Sequence, residues 1–291
     1  MIICSMNILS DQQKKDILEL QEICFNFENL RNKAYLSNDI NFYKEIPCFY
    51  MGYEGERLVA FLTTFIPEEQ EAEIIAFTHP DYRRRGYFDN LLQEATEVLK
   101  SSGIFKILFA IETNSQSGIK TLEKFSPITL ERSEYRMSHG RDTAIPSYPD
   151  LTFHIIAMEN KKICLSIMDE IFCLEGEENE IFIDNAIQSS DRVAYLAYLE
   201  ETPIGSFSLH YEEEAAFIYG LGILPAYQNA GYGRQVLGYA LNISLSNKQK
   251  TILDVDSSNP AAYQLYTHNG FTFDFQTDYF TYFLTKPTQG K

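Results

Sequence analysis

The stretch "LPAYQNAGYGRQVLGYAL", residues 224–241, sets three small residues, Ala230, Gly231 and Gly233, ahead of an apolar run at helical spacing. Pro225 has no N–H to give to a sheet, so the apolar strand before it, "AAFIYGLGIL" (215–224), is expected to end there. Beyond the glycines, Val236, Leu237, Ala240 and Leu241 share one helix face. The start of such a helix presents unpaired N–H groups and the positive end of its dipole. Small residues there remove the side chains that would hold a ligand away. The spacing therefore predicts a seat for a phosphate or pyrophosphate. The other reading is a strand–helix turn whose glycines serve close packing alone. No Gly-Lys-Ser/Thr follows, which excludes a P-loop.

The stretch has an echo 145 residues upstream: Pro80 falls on Pro225, Tyr82 on Tyr227, Gly86 on Gly231 and Tyr87 on Tyr232. Leu92 then meets Leu237, Ala95 meets Ala240 and Asn114 meets Asn259, with no gap between about 58 and 114. Matches at turn and core positions in one register point to two copies of one fold. The turn-rich segment "DTAIPSYPD" (142–150) divides them, which predicts domains at 1–145 and 150–291.

In the second copy, strands are expected at 151–158, 192–199, 203–211, 215–224 and 251–255, with a helix at 161–174. "NPAAYQLYTHNG" (259–270) reads as a short helix with Asn259 as N-cap, Pro260 at N1 and Gly270 past the end. Two aromatic strands, "FTFDFQ" and "YFTYFLT", close the copy. The first copy repeats this order: helix 10–25, strands 48–54, 57–66 and 72–78, helix 87–101, strand 105–111 and helix 115–125. The fold class is α/β or α+β, a mixed sheet with helices.

The 291 residues are 45% apolar and 22% charged, ordinary for a soluble globular chain of two domains. The net charge of −17 excludes nucleic acid as a partner, because a basic face is needed to displace counterions. An acidic field favours a cationic ligand such as an amine. No apolar run is long enough to span a membrane, and no secretory leader is expected. Five cysteines, Cys4, Cys24, Cys48, Cys164 and Cys173, without a CxxC pair, predict reduced thiols in the cytoplasm and no metal site.

The segment "LGILPAYQNAGYGRQVL" resembles the acetyl-CoA motif of the GNAT superfamily of N-acetyltransferases, V-x-P-x-[YF]-[QR]-x-x-G-x-[GA], through Gln228, Gly231 and Gly233. Downstream, "LDVDSSNPAAYQLYTHNGF" resembles the second signature of that superfamily, with Asn259, Ala262, Leu265, Tyr266, Gly270 and Phe271 matching. The resemblance implies two tandem acyl-CoA N-acyltransferase domains, each a mostly antiparallel sheet flanked by helices. It implies that backbone N–H groups from Gln228, Asn229, Ala230, Gly231, Tyr232, Gly233 and Arg234 hold the pyrophosphate of coenzyme A. The strand edge ending at Ile223 and Leu224 would pair with the pantetheine arm, in the manner of strand addition, and supply an oxyanion donor. Asn259 and Ala262 would line the arm, and Tyr266 would protonate the leaving thiolate.

The expected reaction is direct attack of a small-molecule primary amine on the thioester of acetyl-CoA, in a monomer or homodimer. The base is open: Tyr219 lies on the strand where relatives often carry a carboxylate, and Asp254, Asp256, His210 and His268 are alternatives. In the first copy, "THPDYRRRGYFDNLL" (78–92) keeps Arg83 and Gly86, and Arg83, Arg84 and Arg85 can pair with phosphate or form a solvated basic turn. Phe88 stands at the place of Gly233 and Thr121 at that of Tyr266, so this copy reads as degenerate. Two rival functions fit the loop alone: a non-catalytic acyl-CoA sensor, and a nucleotide-binding protein of another class.

Overall fold

The structure is a computed structural model describing residues 2–172 and 178–285, so Cys173 and the last residue of the helix expected at 161–174 lie outside it. Two compact units emerge, each made of a sheet with helices on both faces. One comprises the chain up to Ser133 together with the residues from Phe275 onward; the other is Glu134–Asp274.

The first unit begins with β1 (Ile2–Met6) and α1 (Asp11–Glu28). Ser10 and Gln13 close a reciprocal capping box at the start of α1, which is why the helix opens there. β2 (Phe49–Glu54), β3 (Arg57–Glu68) and β4 (Glu71–Thr78) follow as antiparallel neighbours, then α2 (Tyr87–Ser101), β5 (Lys106–Glu112) and α3 (Gln116–Leu122). α1 packs Ile17, Leu20 and Phe25 against Phe49, Met51 and Phe61 on one face of the sheet. α2 and α3 pack Leu91, Ala95 and Leu122 against Tyr50, Leu62 and Phe109 on the other.

β6 (Thr129–Gly140) leads into the second unit. There β7 (Leu151–Ile155), α4 (Lys161–Phe172), α5 (Glu178–Gln188), β8 (Arg192–Leu199), β9 (Thr202–Tyr211), β10 (Ala215–Ile223), α6 (Tyr232–Asn247), β11 (Lys250–Asp256) and α7 (Pro260–His268) repeat the plan. Its core gathers Ile218, Ile223, Val236, Leu237, Leu241, Leu253, Val255 and Tyr266. Gly238 is required by packing: a Cβ there would come within 2.3 Å of Pro146 O, so the connecting segment crosses α6 at that residue.

β12 (Thr272–Phe283) is one continuous strand where two were expected. The polar residues between the two aromatic runs do not interrupt it, because Thr277 is buried on the ladder and Asp278 accepts from Ser133 Oγ at 2.7 Å. In the first unit the strand order is β1-β2-β3-β4-β5-β12, and in the second it is β6-β11-β10-β9-β8-β7. β5 pairs with β12 from Glu112↔Thr277 to Lys106↔Phe283, and β11 pairs with β6 from Lys250↔Gly140 to Asp256↔Glu134. Each unit is thus finished by the last strand of the other sequence copy. Both sheets are antiparallel except for one parallel pair apiece, β4 with β5 and β10 with β11. Among the described residues no helix is long and apolar enough to cross a membrane.

Candidate functional site

The parallel pairs are short. β10 and β11 are in register only from Ala215–Ile218 to Lys250–Leu253, and β10 then bulges against β9 between Tyr219 and Gly222. The C-terminal half of β10 therefore has no ladder partner on its β11 side. After Leu224, whose N–H donates to Ile204 O at 2.8 Å, Pro225–Tyr227 makes one 3-10 turn. Asn229 (φ 61°) and Gly231 (φ 87°) take left-handed backbone, and α6 begins with no side-chain cap. Its first amides are open to a ligand. Gly231 serves the turn, since its φ disfavours other residues. Gly233 serves neither turn nor packing: a Cβ would lie 3.7 Å from Leu265, an ordinary contact.

The first unit repeats this bond for bond. β4 and β5 pair only from Glu71–Ile74 to Lys106–Phe109. Pro80–Tyr82 forms the 3-10 turn, Arg84 (φ 59°) and Gly86 (φ 80°) are left-handed, and α2 starts without a side-chain cap. Gln228 Nε2 donates to Ile223 O at 3.0 Å, and Arg83 Nε donates to Thr78 O at 3.1 Å, 145 residues apart in both members.

A parallel pair split open, with an uncapped helix start at the mouth, occurs here twice in one chain, and two stretches, residues 14–126 and 162–271, match the Acetyltransferase (GNAT) family. The chain belongs to that family. The fold is shared with the GCN5-related N-acetyltransferase from Sphaerobacter thermophilus, at TM-score 0.78 and 13% identity over 98% of this chain and 96% of that one. It is shared also with a tandem GNAT protein from the clavulanic acid biosynthesis pathway, solved without AcCoA, at TM-score 0.69 and 12% identity over 99% of each chain. An acetyltransferase of the GNAT family from Colwellia psychrerythraea aligns at TM-score 0.63 and 14% identity over 97% of this chain and 100% of that one. Among curated proteins none matches. GNAT proteins in general use acetyl-CoA and act on amines of small molecules or proteins.

In the C-terminal unit of this GNAT protein, Tyr266 is 7% exposed and packs with Ile223 and Val255 in one cluster, its ring 5.6 Å from that of Phe271. Burial pushes its phenol up to about 12, so it carries its proton at neutral pH. Asn259 Oδ1 accepts from Ala262 N at 3.0 Å and caps α7 as expected. The Arg234 side chain turns toward the end of α7, where its Nε donates to Asn269 Oδ1 at 3.0 Å.

Tyr219 alternates with the core residue Ile218 and stacks on Phe217, so it faces away from the cluster that holds Tyr266. Of the other candidate bases, Asp254 is bound in a two-point ion pair to Arg136 (2.5 and 2.8 Å). Asp256 accepts from Ser258 N at 2.6 Å. His210 lies opposite Phe217, several residues along the strand from Gly222, and His268 is exposed in the last turn of α7. Reading the sequence missed the cover over β10: a Cβ on Gly222 would meet Ile171 of α4 at 2.3 Å.

In the N-terminal unit a cavity of about 460 Å³ opens between β4 and β5 and reaches Arg83, Gly86 and α3. Arg85 donates instead to Asp81 O at 2.8 Å. α3 is capped by Ser115, whose Oγ accepts from Gly118 N at 3.1 Å, and not by Asn114. The helix therefore starts one residue later than the repeat predicts. Counted from the caps, the place of Tyr266 falls to Leu122, a core residue, rather than Thr121, whose hydroxyl donates to Ser117 O. Two carboxylates in this cavity carried no sequence signal, because their partners are distant in the chain. Glu28 bonds Arg83 and Ser117, and Glu112 bonds the amides of Arg31 and Asn32.

Proposed function

We propose that the chain transfers an acetyl group from acetyl-CoA to the primary amine of a small molecule by direct attack, with the chemistry in the C-terminal half. The observation that carries this reading is the joint presence there of an uncapped α6 start, the unpaired edge of β10, and a buried, protonated Tyr266. Acetyl-CoA supplies an activated acyl group as a thioester. The amides of Asn229–Gly233 bind its pyrophosphate, while that of Gln228 is held by Pro225 O, and the unpaired edge of β10 orients the pantetheine arm beside Asn259 and Ala262.

The amine nitrogen forms a bond to the carbonyl carbon, the carbon–sulfur bond breaks, and Tyr266 gives its proton to the departing sulfur. Leu224 N–H is already spent on Ile204 O, so the oxyanion donor is assigned to the bulged segment Gly220–Leu221. The attacking amine releases its proton to water, and Tyr219, on the other face of the strand, takes no part. A thiol-release assay with acetyl-CoA over a panel of amines tests the reading. Release with at least one amine supports it; acetyl-CoA binding without release on any amine would establish a sensor instead.

A further inference from the structure

The last turn of α7 lies against the start of α6. A Cβ on Gly233 would stand 3.7 Å from Leu265, and beside it Arg234 Nε donates to Asn269 Oδ1 at 3.0 Å. Asn269 is buried, and both ends of its amide are engaged. Its Nδ2 donates to Leu265 O at 2.6 Å, so Oδ1 faces a group that can only donate, and an arginine is one. Its backbone N–H and that of Phe271 both donate to Tyr266 O, each at 3.1 Å. One side-chain bond thus joins the first turn of α6 to the turn that grips Tyr266. A helix of 9 residues such as α7 is marginal in isolation, so its seat depends on contacts of this kind. The positions 145 residues upstream are Asp89, in the first turn of α2, and Lys124, just past the end of α3. They too are joined, Lys124 Nζ donating to Asp89 Oδ1 and Oδ2 at 2.8 and 3.0 Å. In one unit the residue at the helix start donates, and in the other it accepts. A link present in both copies while donor and acceptor change sides serves the junction rather than either side chain.

We propose that Arg234 is a positioning residue: its bond to Asn269 holds the end of α7, and with it the Tyr266 phenol, in register with the cofactor seat at the start of α6. The proposal rests on Tyr266 being the acid of the proposed reaction. The link does not need the guanidinium charge, because Nε alone makes the bond. The Nε2 of a glutamine stands at the same place along the side chain and still donates. A methionine has the same reach and puts a methyl group there. Arg234→Gln and Arg234→Met therefore lose the same charge and differ in the donor.

Thiol release from acetyl-CoA, with the fastest amine of the panel, is expected to give a kcat at least about tenfold lower in Arg234→Met than in Arg234→Gln, with KM for acetyl-CoA equal within about threefold. In a Tyr266→Phe background the same two variants should differ by less than about twofold, because the acid they position is gone. A merely structural loss would act alike in both backgrounds. Hydrogen exchange read by mass spectrometry, with saturating coenzyme A and no amine, follows the same link without turnover. Coenzyme A is expected to protect the amides of 260–271 at least about fivefold more in Arg234→Gln than in Arg234→Met. Equal kcat in the two variants, a ratio between them that Tyr266→Phe leaves unchanged, or equal protection of 260–271 would each overturn the proposal. Failure of the acid reading shows separately, as a turnover unaffected by Tyr266→Phe alone, and takes this proposal with it.

Discussion

Glu28 Oε2 accepts from Arg83 Nη2 at 3.1 Å, and this contact crosses the opening between β4 and β5. α1, which ends at Glu28, packs on one face of the sheet, while α3 packs on the other. Yet the same carboxylate also accepts from Ser117 N (2.9 Å) and Ser117 Oγ (2.7 Å) at the start of α3. The carboxylate is a latch across the slot, and it neutralises the guanidinium that a phosphate would seek.

Removing the latch is expected to favour an anionic ligand. In a Gly231→Glu background, which silences the other loop, Glu28→Ala should tighten coenzyme A binding by about tenfold. It should also cost roughly 1–3 kcal/mol of stability, from the partners left behind. Calorimetry and urea unfolding read the two effects. Weaker coenzyme A binding in Glu28→Ala would show that the carboxylate helps the ligand instead.

Gly231 carries two separable demands, a left-handed backbone and a clear path to the α6 amides. Gly231→Asn, which tolerates positive φ, should keep coenzyme A affinity within about tenfold. Gly231→Glu should abolish binding by the C-terminal unit, through charge at the phosphate seat and a backbone penalty of about 1–2 kcal/mol. Similar affinities for the two variants would remove the pyrophosphate from this loop.

Tyr266→Phe should lower turnover by about a hundredfold or more and leave the KM for acetyl-CoA nearly unchanged. Because burial raises the phenol to about 12, Tyr266 should impose no alkaline limb on the rate below about pH 10. The folded-state value lies above the unfolded one near 10. The contribution to stability is therefore complete below about pH 10 and is lost as pH rises toward 12. A turnover unaffected by Tyr266→Phe would take the residue out of the mechanism.

The buried thiols should be inert in the folded chain. Burial raises Cys24 to about 11 and Cys48 and Cys164 to about 12, while Cys4 is exposed. At pH 8, iodoacetamide should modify Cys4 at least about a hundredfold faster than these three, since thiolate is the reacting form. Peptide mass mapping over time checks this. Rapid labelling of Cys24, which lines the cavity of the N-terminal unit, would mean that α1 opens readily.

Local rules carried the sequence reading a long way. Pro225 ending a strand, the strand–helix turn through Gly231, the capping oxygen of Asn259 and the period of α6 each depend on neighbours a few residues away, and each appears in the structure. The 145-residue repeat holds to the level of single bonds at Arg83 and Gln228 because both loops obey the same turn chemistry. It slips at α3, where Ser115 and Asn114 are both capping residues and only packing selects between them. Alternation in β6 and β12 says that they are strands but not which neighbours they join, since the pleat has the same period beside β5 or β11. Tertiary structure alone decided that exchange. It also decided that Glu28 bridges two faces of a sheet, and that Glu112 accepts from two backbone amides, because the groups that define these sites come from positions about 50 to 90 residues apart in the chain.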